Sequence, residues 1–407
     1  MKQALALLLV VAILLAAGCA GALRRPAPAV QFGDAAPIGF PPTIRIVEET
    51  RAAFEARAPQ VLARIRAAAR GGPIRVLALS GGGTGAAFGA GALSGWTRLG
   101  TRPEFQIVTG VSAGALIAPF AFLGPAWDAP LAEIFSGQRT QHLLQPQWLR
   151  ALFGASFYHG GPLFDLVDHY ITDELVRAIA AQSARGRLLL VATTDLDKEQ
   201  TVIWNLGLIA AQGGSRARSL MRDVIVASAS IPGAFPPVLI HVSSQGQEFD
   251  EMHVDGGTTA ALFIAPEIAN VLPLDSGIPP GATVYLIVNG QFGAPTETTP
   301  NRTLPILKRS FSAAAQSSAR NAVEITLALA RRAGMQLRVT EIPNDYPYRG
   351  PLDNDSARMG ALFDFGQQCA LSEQLWATPL ELVEQVGAPR RRTPDNAQQC
   401  SMPARTP

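Results

Sequence analysis

The feature that most constrains this chain is a unit that occurs twice between residues 74 and 122: a short apolar run, a glycine-rich turn and a helix-forming stretch. Ile74–Leu79 leads into Ser80-Gly81-Gly82-Gly83-Thr84-Gly85-Ala86 and then Phe88–Leu99. Phe105–Thr109 leads into Gly110-Val111-Ser112-Ala113-Gly114 and then Ala115–Phe122. Apolar runs this short, bounded by turns, have the length of buried strands. Two strand-turn-helix units in succession argue for parallel strands with helices packed over them. Leu188–Ala192, Val202–Trp204 and Val284–Val288 read as further strands, and Pro162–Ala184, Ser219–Ser228 and Thr303–Arg332 as helices. The expected fold is therefore α/β in three layers, with a mostly parallel central sheet and helices on both faces.

Of the 407 residues, 48% are hydrophobic and 16% charged, enough to bury one large core or two modest ones. The formal net charge is +2 with both signs scattered, so no basic stripe exists for a phosphate backbone, and nucleic acid is set aside as a partner. Met1-Lys2 followed by the apolar Ala4–Ala17 has the order of an export signal and is short for a membrane span. It ends in Leu15-Ala16-Ala17-Gly18-Cys19, which resembles a bacterial lipobox, although Ala16 stands where leucine is more usual. On that resemblance residues 1–18 are a signal peptide and Cys19 carries the lipid, with an ordinary cleaved signal or an uncleaved anchor as the alternatives. The expected location is the bacterial cell envelope, tied to the membrane by an N-terminal lipid anchor. Ala20, not an aspartate, favours the outer membrane by resemblance to the sorting rule.

Residues 19–45, rich in Pro, Ala and Gly, read as a tether, 46–72 as a leading helix and 73–343 as the main body. Residues 344–407 read as a C-terminal extension with one helix near Ser372–Val386 and a disordered end from Pro389. Cys369 and Cys400 lack metal-ligand spacing; an oxidising compartment would permit them to pair, and nothing in their spacing demands it.

Gly110-x-Ser112-x-Gly114 fits a nucleophile elbow, in which a sharp strand-to-helix turn exposes the serine hydroxyl and flanking glycines avoid collision with neighbouring elements. The pattern alone is common in a glycine-rich chain; its place between a buried strand and an apolar helix gives it weight. Gly81, Gly82 and Gly83 leave main-chain N–H groups bare to converge on a negative oxygen, which could be a cofactor phosphate or the oxyanion of acyl transfer. Gly81-x-Gly83-x-x-Ala86 also satisfies a dinucleotide fingerprint, but Glu104 precedes the second strand, whereas a ribose-binding acid belongs at its far end. Asp255-Gly256-Gly257 by itself reads as a turn. For a base, His253 with Asp195 or Asp197 is one option, and Asp255 is another. No histidine follows His253, although the sheet continues through Val284–Val288, which disfavours the serine-acid-histidine order of α/β hydrolases.

Taken in order, Gly81-Gly82-Gly83, Gly110-x-Ser112-x-Gly114 and Asp255-Gly256-Gly257 resemble the patatin-like phospholipase family over about Ile74–Ala260, and so does Ala227-Ser228-Ala229-Ser230-Ile231-Pro232-Gly233-Ala234-Phe235-Pro236-Pro237. The resemblance implies a three-layer patatin-like fold and a Ser-Asp dyad with Ser112 as nucleophile and Asp255 as base. It also implies an oxyanion hole from Gly81, Gly82 and Gly83, supporting roles for Gly110, Gly114, Gly256 and Gly257, and no metal or cofactor. The implied activity is lipid acyl hydrolysis of the phospholipase A or lysophospholipase type. The family often has Arg, Lys or Asn followed by Gly where this chain has Gly85-Ala86. That departure makes a non-catalytic lipoprotein scaffold the alternative.

Overall fold

The computed structural model describes residues 24–27, 35–47, 56, 58–136, 161–263, 281–293, 298–353, 355–377 and 400. The leader, Cys19 and the chain end beyond Cys400 lie outside the described residues, as do His142 and His159. No described helix is long and apolar enough to cross a membrane.

The centre is a parallel array of five strands in the order β10 (Gln336–Glu341), β9 (Thr283–Val288), β3 (Arg75–Leu79), β4 (Ile107–Val111) and β5 (Leu188–Asp195). Antiparallel strands extend it: β8 (Gln247–Asp255), β7 (Val238–Ser244) and the short β1 (Ala36–Pro37) on one path, and β6 (Gln200–Asn205) with β2 (Arg45–Ile46) on another. Successive residues of β3 point to opposite faces: Leu77 and Leu79 enter one hydrophobic core, Val76 and Ala78 the other. Burial on both faces explains the apolar runs that made these strands readable. Over the first face pack α2 (Ala86–Arg98), α3 (Ala113–Leu123), α5 (Gly161–Tyr170), α6 (Asp173–Ala184), α8 (Gly214–Ser228) and α10 (Ser356–Leu371). The order is completed by α4 (Asp128–Phe135) and α7 (Leu206–Gln212), and α1 (Ala58–Ala68) and α9 (Thr303–Arg332) serve the second face. The expected α/β class with a mixed, mostly parallel central sheet and helices on both faces is what the structure has.

Register does the decisive work at β5. Leu190–Asp195 pair with β6 along one edge, so β4 and β8 share the other: Val111 of β4 lies opposite Ala192, and Asp255 of β8 lies opposite the next residue, Thr193. The residue that follows β4, Ser112, is thereby set beside the last residue of β8.

Several boundaries differ from the sequence expectation. Of the expected leading helix over 46–72, Ile46 lies in β2 on the edge of β6 and Ala58–Ala68 is helical, while 48–55 and 57 lie outside the described residues. The 19–45 tether is in its described part bound to the body: Arg45 is buried against Glu251, Arg24 donates to the Asp250 carbonyl, and Ala36 pairs with Ser243. The 162–184 helix is two helices, the second capped by Thr172, whose hydroxyl accepts from the Leu175 N–H at 3.2 Å. Ser356–Leu371 is a helix the sequence reading did not place; of the expected Ser372–Val386, residues 372–377 are non-helical and the rest lies outside the described residues. Gly360 and Gly366 weaken its helical reading; Gly366 is there because a Cβ would meet the Phe88 carbonyl oxygen at 2.3 Å, a contact that lets the helix lie against α2. Cys369 and Cys400 form a disulfide.

Candidate active site

Ser112 sits at the turn between β4 and α3 with φ 56° and ψ −128°, a backbone state that L-residues rarely adopt. The turn is tight: a Cβ on Gly114 would lie 2.5 Å from the Leu79 carbonyl oxygen, and one on Gly110 2.7 Å from that of Gly114. The strain is held by Ser228, whose Oγ accepts from the Ser112 N–H at 2.9 Å and donates to the Ala192 carbonyl at 2.7 Å. The N-terminus of α3 points its positive dipole end at this turn.

The Ser112 hydroxyl donates to Asp255 Oδ2 at 2.5 Å. The other carboxylate oxygen accepts from the Gly257 N–H at 2.7 Å, and the Asp255 N–H is tied to the Ser230 carbonyl at 2.9 Å. Gly256 has no room for a side chain, because a Cβ would meet the Ala192 carbonyl oxygen at 2.4 Å. Asp255 is 2% exposed. Burial pushes its carboxyl up to about 7, opposed by the Ser112 and Gly257 hydrogen bonds. A carboxylate poised there takes a hydroxyl proton far more readily than one at its ordinary value.

Gly81, Gly82 and Gly83 run along the opposite side. A Cβ on Gly81 would touch the Ser112 Cβ at 3.0 Å, and Gly82 has φ 151° and Gly83 φ 54°, conformations that favour glycine. Of the three expected donors, Gly81 is committed elsewhere: its N–H donates to the Ala261 carbonyl at 3.2 Å, because the chain leaves β3 alongside that segment. Among the described residues, the Gly82 and Gly83 N–H groups have no protein acceptor. A hydroxyl, a carboxylate and two bare amides around one point can bind an ester carbonyl, attack it and hold the resulting oxyanion.

Two cavities meet at Ser112. One is walled by Leu116, Phe135, Leu163, Phe235, Leu352 and Met359. The other is lined by Asn289, Gln291, Ser312, Gln316 and Tyr348 together with the glycine loop and Asp255.

His253 does not serve this site. Its Nδ1 pairs with Thr193 Oγ1 at 2.9 Å and its Nε2 with Glu251 at 3.3 Å, in a buried cluster with Asp195, Lys198 and Arg45. Asp195, Glu251 and His253 offer atoms within 4.8 Å of one another that could ligate a metal. The Lys198 ammonium, 3.2 Å from Glu251 and 3.6 Å from Asp195, and the Arg45 guanidinium already supply the positive charge there. Asp197 pairs with Arg24. Ser228, Ser230, Asn289 and Tyr348 are residues whose site contacts sequence reasoning did not assign; for the two serines the Ala227–Pro237 stretch carried a signal without a role.

Residues 77–268 match the family profile described as patatin-like phospholipase. Two solved structures are similar at low identity. VipD from Legionella pneumophila aligns at 13% identity and TM-score 0.31, over 74% of this chain and 67% of that one. Human GIVD cytosolic phospholipase A2 aligns at 13% identity and TM-score 0.36, over 72% of this chain and 50% of that one, so the alignment spans half the length of the human enzyme. No curated protein sequence matches.

Proposed function

We propose that this protein, whose residues 77–268 match the patatin-like phospholipase profile, is a serine esterase of that family and hydrolyses lipid carboxylic esters in the manner of a phospholipase A or lysophospholipase, with Ser112 as nucleophile and Asp255 as general base. The observation that carries the reading is the 2.5 Å hydrogen bond from the Ser112 hydroxyl to the buried Asp255 carboxylate. Ser112 Oγ attacks the acyl carbon while its proton passes to Asp255 Oδ2, and the Gly82 and Gly83 N–H groups hold the tetrahedral oxyanion. Collapse breaks the ester C–O bond; Asp255 returns the proton to the departing alkoxide and leaves an acyl-Ser112. Asp255 then takes a proton from water as the water oxygen attacks the acyl group, and passes it back to Ser112 Oγ as the fatty acid leaves. The cavity walled by Leu116, Phe135 and Leu163 suits the acyl chain, and the second, which adds Asn289, Gln291 and Gln316 to a largely apolar wall, leaves room for the rest of the ester.

The leader sequence supports placing the enzyme on the cell envelope, anchored through a lipid on Cys19, with the outer membrane as its site. Incorporation of labelled palmitate that is lost in Cys19→Ala tests this; an unlabelled parent protein would refute it. The hydrolase reading is tested by a fluorophosphonate probe. Labelling mapped to Ser112, absent in Ser112→Ala, together with release of fatty acid from lysophospholipid, supports it. A folded protein that neither labels nor hydrolyses would instead be the scaffold alternative.

A further inference from the structure

The segment from Tyr346 to Leu371 lies outside the matched residues 77–268, yet it hydrogen-bonds the glycine loop at Gly82 and Thr84. The Gly82 carbonyl accepts two hydrogen bonds, from the Tyr348 hydroxyl at 3.0 Å and from the Gly85 N–H of the same turn at 3.0 Å, so the tyrosine adds a fixed outside anchor to a bond the loop makes with itself. The Thr84 N–H donates to the Pro351 carbonyl at 3.0 Å, and the Thr84 hydroxyl to the Gly350 carbonyl at 3.2 Å. The fit leaves no slack: a Cβ on Gly83 would lie 2.0 Å from the Pro351 carbonyl oxygen, and one on Gly85 2.7 Å from the Tyr348 hydroxyl. At Gly85 a side chain would also meet the Asn289 carbonyl oxygen at 2.2 Å, so the space is closed by that backbone together with the tyrosine.

A planar trans peptide turns the hold on a carbonyl into a direction for an amide. The Gly82 carbonyl shares its peptide plane with the Gly83 N–H and points the opposite way, so whatever grips that oxygen aims that donor. The same logic applies one peptide earlier, where the Ser80 hydroxyl donates to the Gly81 carbonyl at 2.6 Å and so aims the Gly82 N–H. Ser80 is held in turn by the Asn289 N–H, which donates to its Oγ at 2.9 Å. Each bare amide thus has its own hydroxyl behind it, one from the matched region and one from beyond it.

The C-terminal segment is itself anchored. Gln291 Nε2 donates to the Pro343 and Tyr346 carbonyls at 2.8 and 2.9 Å, Asp355 caps α10, and α10 packs on α2, the helix that begins where the glycine loop ends. A Cβ on Gly91 would lie 1.9 Å from the Phe363 carbonyl oxygen, so the two helices are in backbone contact.

We infer that Tyr348 is a positioning residue for the oxyanion hole, aiming the Gly83 N–H through the Gly82 carbonyl, and that the C-terminal segment is a working wall of the active site. The role rests on the hydrolase reading above. In Tyr348→Phe, kcat for a soluble ester, counted per serine titrated with fluorophosphonate, falls by about ten- to a hundredfold while KM changes little, since an aimed donor acts on the oxyanion more than on the ground-state ester. Deuterium uptake at the Thr84 and Gly85 amides rises in the same variant, a readout that needs no turnover. A kcat within twofold of the parent with unchanged uptake in the glycine loop overturns the assignment. Absence of Ser112-dependent turnover in the parent overturns the hydrolase reading instead, and the exchange comparison then still decides whether Tyr348 holds the loop.

Discussion

Two of the buried carboxylates of strand β8, Glu251 and Asp255, stand four residues apart and meet opposite fates. Glu251 is hemmed by Arg45 at 2.5 Å, Lys198 at 3.2 Å and the His253 ring at 3.3 Å. Burial pushes its carboxyl up, but these contacts outweigh it and leave the group well below the usual carboxylate range. Asp255 meets one hydroxyl and one peptide N–H, no cation among the described residues offsets its desolvation, and its carboxyl rises to about 7. Burial by itself therefore makes neither a base nor a structural ion. The charge of the nearest neighbours decides, and in this strand it separates the proposed base from a paired ion.

The sharpest way to break that contrast is to remove each carboxylate's function in turn. Ser112→Ala and Asp255→Asn should each lower ester turnover by at least about a thousandfold, measured as kcat/KM on folded protein. Glu251→Gln should do the reverse: turnover per titrated serine stays close to the parent, while loss of the counter-charge for Arg45 and Lys198 costs about 3–5 kcal/mol of stability in urea unfolding. Turnover that collapses in Glu251→Gln with stability intact would erase the division.

The pH dependence separates the two groups by sign. Between the ordinary aspartate value near 4 and about 7, unfolded Asp255 has released its proton while the folded group still holds it, so rising pH favours unfolding across that window. Asp255→Asn lacks this penalty and should become the more stable protein as pH rises, by up to about 4 kcal/mol above pH 7 for a shift of roughly three units. Glu251, with its value depressed, contributes stability that is present above the ordinary glutamate range and is lost as pH falls below it. Parallel unfolding curves for Asp255→Asn and the parent at pH 4 and pH 8 would refute the raised value. Activity should follow the same group: kcat/KM rises tenfold per pH unit below about 7 and levels off above it.

The smallest expected effect is at Ser228. Ser228→Ala removes the hydroxyl that holds the Ser112 N–H, and kcat should drop by about fivefold with KM nearly unchanged, since one neutral hydrogen bond is worth about 1 kcal/mol. An unchanged kcat would show that the glycine packing alone keeps the elbow strained.

How much of this was legible depends on how local the cause was. The strands β3, β4, β5 and β9 were readable because burial on both faces made them continuous apolar runs. The hairpin of β7 and β8 was not, since Glu248, Asp250, Glu251 and His253 make Gln247–Asp255 look like a solvated loop; the cations that neutralise Glu251 come from residues 45 and 198. The C-terminal helix was hidden by its own packing glycines. Gly81 resembled a donor because a glycine triplet does not say which amide another segment will claim, and here Ala261 claims it.

The chain by itself determined the glycine-flanked turn at Ser112, the glycine loop and the alternation of strands and helices, because each follows from residues within a few positions of one another. The tertiary structure alone decided which acid faces the serine, through one-residue registers of β4 and β8 on β5. It also decided which amides remain free, and that a tyrosine from beyond residue 340 aims one of them. Pairing, burial and electrostatics between distant segments depend on distances in space, and spacing along the chain does not encode them.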